Sequence, residues 1–339
     1  MMNRSLVLIS ALLVGTTLPA QTPDAQCPSG TTAQRVSQDA CQKAIDLFRY
    51  LAPQLGTSIA GGNATLGQGG NLGGLGHFSA GLRVNAVQGS LPDFQNLQVS
   101  TAGAQRSPAI DTKTQLFPMP TADLSIGVFK GVPLPLTNVG GVDLLVSAAY
   151  LPEFENSGVK VHVPNGSLKL GYGARVGILQ ESLLVPGISV SYLRRDLPTV
   201  DLTAATSAGG LSSSNDTLYV TGLSLKTKAW RVVASKSLIL FGLAAGFGQD
   251  TYESSASVHA HVAARPPLTA ASDAGPVALS QNLTRTNIFA DLSMNLLLFK
   301  ITGEIGQVSG GTINTYNTFS GKQPADSRLY GSVGARFGF

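Results

Sequence analysis

The chain of 339 residues is short of charge: 23 Lys and Arg with 19 Asp and Glu make up 12% of it, about half of what a soluble domain carries. Disordered chains and coiled coils both need far more charge, so neither class fits. The formal net charge of +4 is too small to point to nucleic acid. There is one Trp and there are only two Cys, which excludes a cysteine-dense scaffold. Long apolar runs are missing too. Past residue 20 the nearest is Ser237 to Phe247, eleven residues, and a spanning helix needs about 20. Glycine is abundant, at 39 residues, and the mean hydropathy is +0.17.

Ser5 to Leu18 is apolar and uncharged, follows Arg4, and precedes Pro19-Ala20. This charged–apolar–small order predicts a secretory signal peptide over residues 1–20, cleaved after Ala20 or Ala25. Asp24 stands three residues before Cys27, where a lipoprotein signal would have Leu, so no lipid anchor is expected. Loss of Arg4 lowers the net charge from +4 to +3. Cys27 and Cys41 in an exported chain predict one disulfide. No His or further Cys lies between them, so a metal site is not expected.

An exported, apolar chain without a membrane helix leaves strands as the route through lipid, because backbone polar groups there must pair internally. Period-two patterning recurs ten times. Leu329, Val333, Ala335, Phe337 and Phe339 oppose Tyr330, Ser332, Gly334, Arg336 and Gly338. Similar segments are Phe78–Ala86, Ala122–Val128, Val142–Tyr150, Leu168–Ile178, Ile188–Tyr192, Asp216–Val233, Ile239–Gly248, Thr286–Ser293 and Leu297–Ile305. The pattern predicts about ten antiparallel strands, within a range of eight to fourteen. Connections near 89–119, 151–165, 198–215, 254–281 and 309–325 are long; those near 131–139, 180–187, 234–237 and 294–296 are short. Long loops at one end and tight turns at the other are the asymmetry of outer-membrane barrels. Pro164-Asn165-Gly166 suggests a small hairpin in the second long loop.

The leader and the final segment, whose Val333, Ala335, Phe337 and Phe339 end the chain on Phe, resemble those of bacterial outer-membrane β-barrel proteins. The resemblance implies an all-β transmembrane barrel over 77–339, outer-membrane lipid around it, a C-terminal strand read by the barrel-assembly machinery, and a bacterial outer-membrane location. A monomer is expected.

Residues 21–76 stand apart. Val36, Ala40, Ala44, Leu47, Phe48 and Leu51 recur at helical steps over 31–55, with Pro53 and Gly56 as stop signals. Gly61 to Gly76 holds eight glycines in 16 residues. This segment is either a flexible lead into the first strand or, with the helix, a plug. Fatty-acid transporter barrels also hold an N-terminal plug, although they have more strands; their Asn-Pro-Ala motif reads Asn63-Ala64-Thr65 here.

Placing the charged parity inward gives Arg83, Lys169, Arg175, Lys226, Lys228, Arg285, Lys300 and Arg336 as basic lumen groups and Asp123, Asp143, Asp291 and Glu304 as acidic ones. Buried charges require partners, so a cross-barrel ion-pair network is expected. His259 and His261 read as solvated loop histidines. Asp250 with His259, or Ser257 with His259, are the nearest approaches to a catalytic pair, and neither has the spacing of the barrel proteases or phospholipases. No enzyme activity, cofactor or metal is expected. Two functions remain: passive passage of a small or apolar solute through a plugged narrow barrel, or a non-conducting structural or surface-interaction barrel acting through its long loops.

Overall fold

The computed structural model describes residues 22–93, 99–106, 109–156, 159–207, 215–264 and 270–338. The predicted leader and Phe339 lie outside the described residues. One long helix, α1 (Thr32–Ala60), is followed by ten strands that close into a ring. These are β1 (Phe78–Pro92), β2 (Thr112–Phe129), β3 (Gly141–Tyr150), β4 (Leu168–Leu179), β5 (Gly187–Asp196), β6 (Asn215–Ser237), β7 (Phe241–Val262), β8 (Ser272–Leu296), β9 (Phe299–Ser309) and β10 (Arg328–Gly338). Each pairs antiparallel with its neighbours in sequence. The ring is completed where Ser79 to Val87 of β1 pair with Gly338 to Tyr330 of β10. Closure leaves no bare edge within the ring, the condition for a sheet to sit in hydrocarbon.

The side-chain alternation explains where the ring sits. On β7, Phe241, Leu243, Ala245 and Phe247 face outward and are exposed, while Gly242, Ala244 and Gly248 face in. On β8 the outward set is Leu296, Met294, Leu292, Ala290 and Ile288, opposed by Ser293, Asp291, Phe289 and Asn287. Leu82, Ile126, Leu144, Val176, Ile305 and Val333 continue the apolar band around the ring. With the adjoining turn residues Leu238, Ile239 and Leu240, the run on β7 reaches Phe247 in ten residues, the length a tilted strand needs to cross a bilayer. Tyr172, Tyr192 and Trp230 stand outward at the upper limit of this band, where amphipathic rings favour the water interface.

Beyond that limit the polarity of the two faces exchanges. Further along β7 the outward residues become Gln249, Thr251, Glu253, Ser255 and Ser257, and the inward ones Tyr252, Ala256, Val258, Ala260 and Val262. On β8, Thr286, Thr284, Asn282 and Ser280 face out while Leu283, Leu279 and Val277 face in. Strands β6, β7 and β8 have 23, 22 and 25 residues, more than twice the crossing length. Their upper halves form a cup that is wet outside and apolar inside.

α1 fills the cup. Thr31 and Gln34 form a reciprocal cap at its start. Its residues Val36, Ala40, Ala44, Ile45, Leu47 and Phe48 join Leu223, Leu225, Val258, Val277 and Leu279 in one core. Cys27 and Cys41 are disulfide-bonded, holding the chain before α1 against its first turns. The helix runs past the expected stop: Pro53 lies inside it and it ends at Ala60. Proline costs about 3 kcal/mol in a helix interior, and burial from Ala52 to Ala60 outweighs that. Gly56 belongs to this contact, because an ideal Cβ there falls 2.6 Å from the Tyr252 ring.

The connections at one end are 130–140, 180–186, 238–240 and 297–298; those at the other are 93–111, 151–167, 197–214, 263–271 and 310–327. The asymmetry holds for four of the five upper connections. The one expected over 254–281 shrinks to 263–271, shorter than 130–140, because β7 and β8 extend into it. Residues 89–92, 112–119, 254–262 and 272–281, expected as loop, are largely strand, and so are 234–237. In the second long connection, Phe154–Asn156 pairs with Val159–His162, which pairs in turn with Val200–Ser207 and so with the upper end of β6. Pro164-Asn165 forms a separate turn leading to β4, not the hairpin itself.

Candidate functional site

The lumen is occupied along its lower half by residues 61–76, which descend from the end of α1 to β1. The glycines there lie against the wall. An ideal Cβ on Gly69 falls 2.6 Å from the Ser235 backbone nitrogen, and one on Gly74, at φ +97°, falls 2.8 Å from that of Lys130. Backbone cannot swing aside, so no side chain fits at either position. A segment with few side chains must be held through its main chain, and the inward wall residues do this.

The upper tie is cationic. α1 has no basic residue in its last turn, yet a helix C-terminus has unsatisfied carbonyls and partial negative charge. The wall supplies the compensation. Arg195 Nη1 donates to Ala60 O at 2.7 Å. Arg231 donates from Nη2 to Gly61 O at 3.0 Å and from Nε to Gly62 O at 3.2 Å. Arg83 Nη1 donates to Asn63 O at 2.7 Å. Each arginine also meets a carboxylate: Arg83 and Arg195 share Asp123 at 2.8 and 3.2 Å, and Arg231 pairs with Asp250. Asp250 further accepts from Asn287 Nδ2 at 3.1 Å and Tyr252 OH at 3.3 Å.

The lower tie is anionic. Glu304 Oε2 accepts Asn63 N at 2.7 Å. Asp291 Oδ2 accepts both Asn63 Nδ2 and Gly67 N at 2.9 Å. Asp143 accepts Leu72 N at 3.1 Å and pairs with Arg175 at 2.7 Å; Arg175, 1% exposed, also reaches the Thr65 hydroxyl. Near the foot of the lumen Lys300 Nζ donates to Gly67 O at 3.1 Å and Arg336 to Gln68 Oε1. Arg285 lies higher and donates to Ala325 O and Asp326 O at 3.0 and 2.7 Å.

The helix anchors the upper loops by the same means. Gln54 makes a two-way pair with Ser90, accepting its N–H at 2.7 Å and donating to its carbonyl at 3.1 Å. Asp39 accepts Ser100 N at 2.6 Å. Asp46 accepts Tyr316 N at 3.0 Å and Asn317 N at 2.7 Å; its burial raises the carboxyl above its ordinary range, partly offset by those donors.

Of the residues singled out in the sequence, Arg83, Asp123, Asp143, Arg175, Arg285, Asp291, Lys300, Glu304 and Arg336 face the lumen. Lys169 shares the inward parity opposite Ala149 but is exposed near the upper end of its strand. Lys226 and Lys228 are corrected: they point outward, with Lys228 paired to Glu253, because the outer face is already wet at that height. Arg195, Arg231 and Asp250 were missed as a set. Continuing the parity of Ser189 and Ser191, or of Gly242 to Gly248, by two or four residues reaches Arg195 and Asp250. Asp250 and His259 lie on opposite faces of β7. His259 stacks on Tyr219 and His261 pairs with Asp273 at 2.7 Å. Val333, Ala335 and Phe337 lie on the outward face of β10, and Phe337 contacts Phe78 and Phe299.

A closed antiparallel ring, an apolar outer belt and a polar lumen decide the class. The chain is an outer-membrane-type β-barrel. No family model matches it, and no curated protein is similar to it. Among solved structures it is similar to the TodX deltaS2S3 mutant, a monoaromatic hydrocarbon channel, at 10% identity and a TM-score of 0.30, covering 77% of this chain and 67% of that one. The transport unit of the autotransporter AIDA-I from Escherichia coli gives 9% identity and a TM-score of 0.29, with 78% and 90% covered. OprB of Pseudomonas putida gives 7% and 0.19, with 78% and 94% covered. The assignment rests on the barrel's own geometry.

Proposed function

We propose that the protein is a gated outer-membrane channel for small solutes, closed by residues 61–76 and opened when that segment leaves the wall. In this reading the leader exports the chain, the assembly machinery inserts it as a monomer, the short turns face the periplasm and the long loops face outside. No catalytic step is involved. The observation behind it is the kind of bond that holds the lower plug. Charged side chains on the wall hold main-chain groups of a glycine-rich segment, and water can replace each such hydrogen bond at a net cost of about 1.5–3 kcal/mol. The helix above is anchored differently, by an apolar core, so the lower segment can move while α1 stays.

The test is conductance in planar bilayers. Wild-type protein is expected to be closed or to open rarely. Asp291→Ala, which removes two plug ties without breaking an ion pair, is expected to open it at least several-fold more often. Silence of both proteins would leave the second reading, a non-conducting surface-interaction barrel. The three extra strands above β6 and the helix-anchored upper loops favour that reading.

A further inference from the structure

At the foot of the lumen, between the plug and the ends of β1, β8, β9 and β10, lies a cavity of about 340 Å³. Its charged lining residues are Lys300 and Arg336, beside neutral polar groups such as Gln68 and Asn295; leucines and the rings of Phe78 and Phe299 supply the apolar part.

Lys300 and Arg336 stand directly opposite each other on adjacent strands, an arrangement in which like charges repel. The same row across the sheet continues to Asn295 on one side and to Gly81 and then Asp123 on the other; Asp123 is taken by Arg83 and Arg195. Elsewhere in the lumen the wall pairs its cations: Arg83 and Arg195 with Asp123, Arg175 with Asp143, Arg231 with Asp250. Among the described residues neither Lys300 nor Arg336 has a carboxylate within ion-pair distance. The acids acting on both from further away, Glu181 and Asp291, are already engaged. Glu181 accepts from Ser235 Oγ at 2.8 Å and from Ser237 N, and Asp291 holds Asn63 and Gly67. Lys300 makes one normal hydrogen bond, to Gly67 O, and a long one of 3.5 Å to Ser237 Oγ. Arg336 uses one nitrogen on Gln68 and lines the cavity together with Lys300. A guanidinium beside an ammonium is the donor set that takes phosphate or carboxylate oxygens.

The setting defines the rest of the ligand. Phe78, Phe337 and Phe299 form one aromatic cluster at the foot of the β1–β10–β9 seam, and Leu297 and Leu298 in the turn beside it are exposed. Hydrocarbon is therefore available within one residue of the cations. We infer that this cavity binds an anionic amphiphile, with its phosphate or carboxylate on Lys300 and Arg336 and its chain along Phe78, Leu298 and Phe299. Two sources share this chemistry: a phospholipid of the surrounding leaflet and a free single-chain amphiphile. The inference needs the barrel but does not need it to conduct.

The experiment is binding to the full purified chain in dodecyl maltoside, followed by calorimetry with dodecyl phosphate, with inorganic phosphate, and by native mass spectrometry with dioleoyl phosphatidylglycerol. Dodecyl phosphate is expected to bind wild type at least tenfold more tightly than the Lys300→Gln/Arg336→Gln variant. Lys228→Gln, an outward cation outside the site, should bind like wild type. Should the double variant fail to show the mobility shift of a folded barrel on unboiled gels, Lys300→Gln alone is expected to weaken binding at least threefold. Retention of phosphatidylglycerol by wild type and not by the variant assigns the site to resident lipid; binding of dodecyl phosphate alone assigns it to a free amphiphile. Equal binding by wild type and variant, or no binding of either amphiphile to wild type, overturns the inference, as does inorganic phosphate binding as tightly as dodecyl phosphate.

Discussion

Arg231 shows how much one residue holds. It is 1% exposed, pairs with Asp250, and closes the carbonyl end of α1 through Gly61 and Gly62. Breaking a buried pair from one side leaves a charge behind and costs about 3–5 kcal/mol. Arg231→Met is expected to lose that much in urea unfolding of the detergent-solubilised barrel, and Arg231→Met with Asp250→Leu to recover part of it. Two carboxylates in the upper half, Glu153 in a loop and Asp46 on α1, should respond to acid in opposite directions. The Val163 amide and His162 hold Glu153 below its ordinary 4.5. Its contribution is present above 4.5 and fades as pH falls through the lowered folded value. Asp46 is held above its ordinary 3.8 by burial, so its charge opposes the fold at neutral pH and that cost fades as pH falls toward 3.8. Amide protection, taken relative to the intrinsic exchange rate at each pH, is expected to fall at Val163 between pH 7 and 4 and to hold or rise along α1 around Asp46.

At the scale of the strand, the exchange of polarity along β7 makes one face behave in two ways. Phe247 and Ser257 share the outward face. Phe247→Arg puts a charge in the belt and is expected to cost about 2–4 kcal/mol on folding into lipid vesicles, whereas Ser257→Arg, on the wet half, is expected to change stability by less than about 0.5 kcal/mol. The same exchange decides what was legible in the sequence. β6 reads as a weaker segment over Asp216–Val233, mostly its upper half, but the other nine of the ten ring strands announce themselves through their lower halves, where apolar residues face out and small or polar ones face in. The upper halves of β7 and β8 do not, because Ser254 to Ser257 and Ser280 to Asn282 read as turn-rich loop when the apolar parity is weak and inverted. Lys226 and Lys228 were assigned inward on the rule that charge avoids lipid, which holds only within the belt. The register break between Thr221 and Ser224 further hid the phase that leads to Arg231. The continuation of α1 through Pro53 was illegible for another reason: the energy that sustains it comes from Tyr252 and the cup wall, 200 residues away in sequence.

For the whole molecule, an apolar belt at one end and a wet-walled cup at the other give a lopsided object. A detergent ring resolved by contrast-matched neutron scattering is expected to lie toward the short turns, with its centre displaced from that of the protein; a centred ring would contradict the inverted cup. The filled lumen and the seam have a joint implication for assembly. β1 meets its second neighbour only when β10 arrives, so during biogenesis the wall stands open along one side while the helix and its glycine tail are already made. A tie as enclosed as that of Arg195 to Ala60, at the end of α1, is formed most directly before the ring is finished. The helix is then laid in place first and the staves closed round it, which makes α1 a template for the barrel's curvature while the glycine segment below it remains the movable stopper.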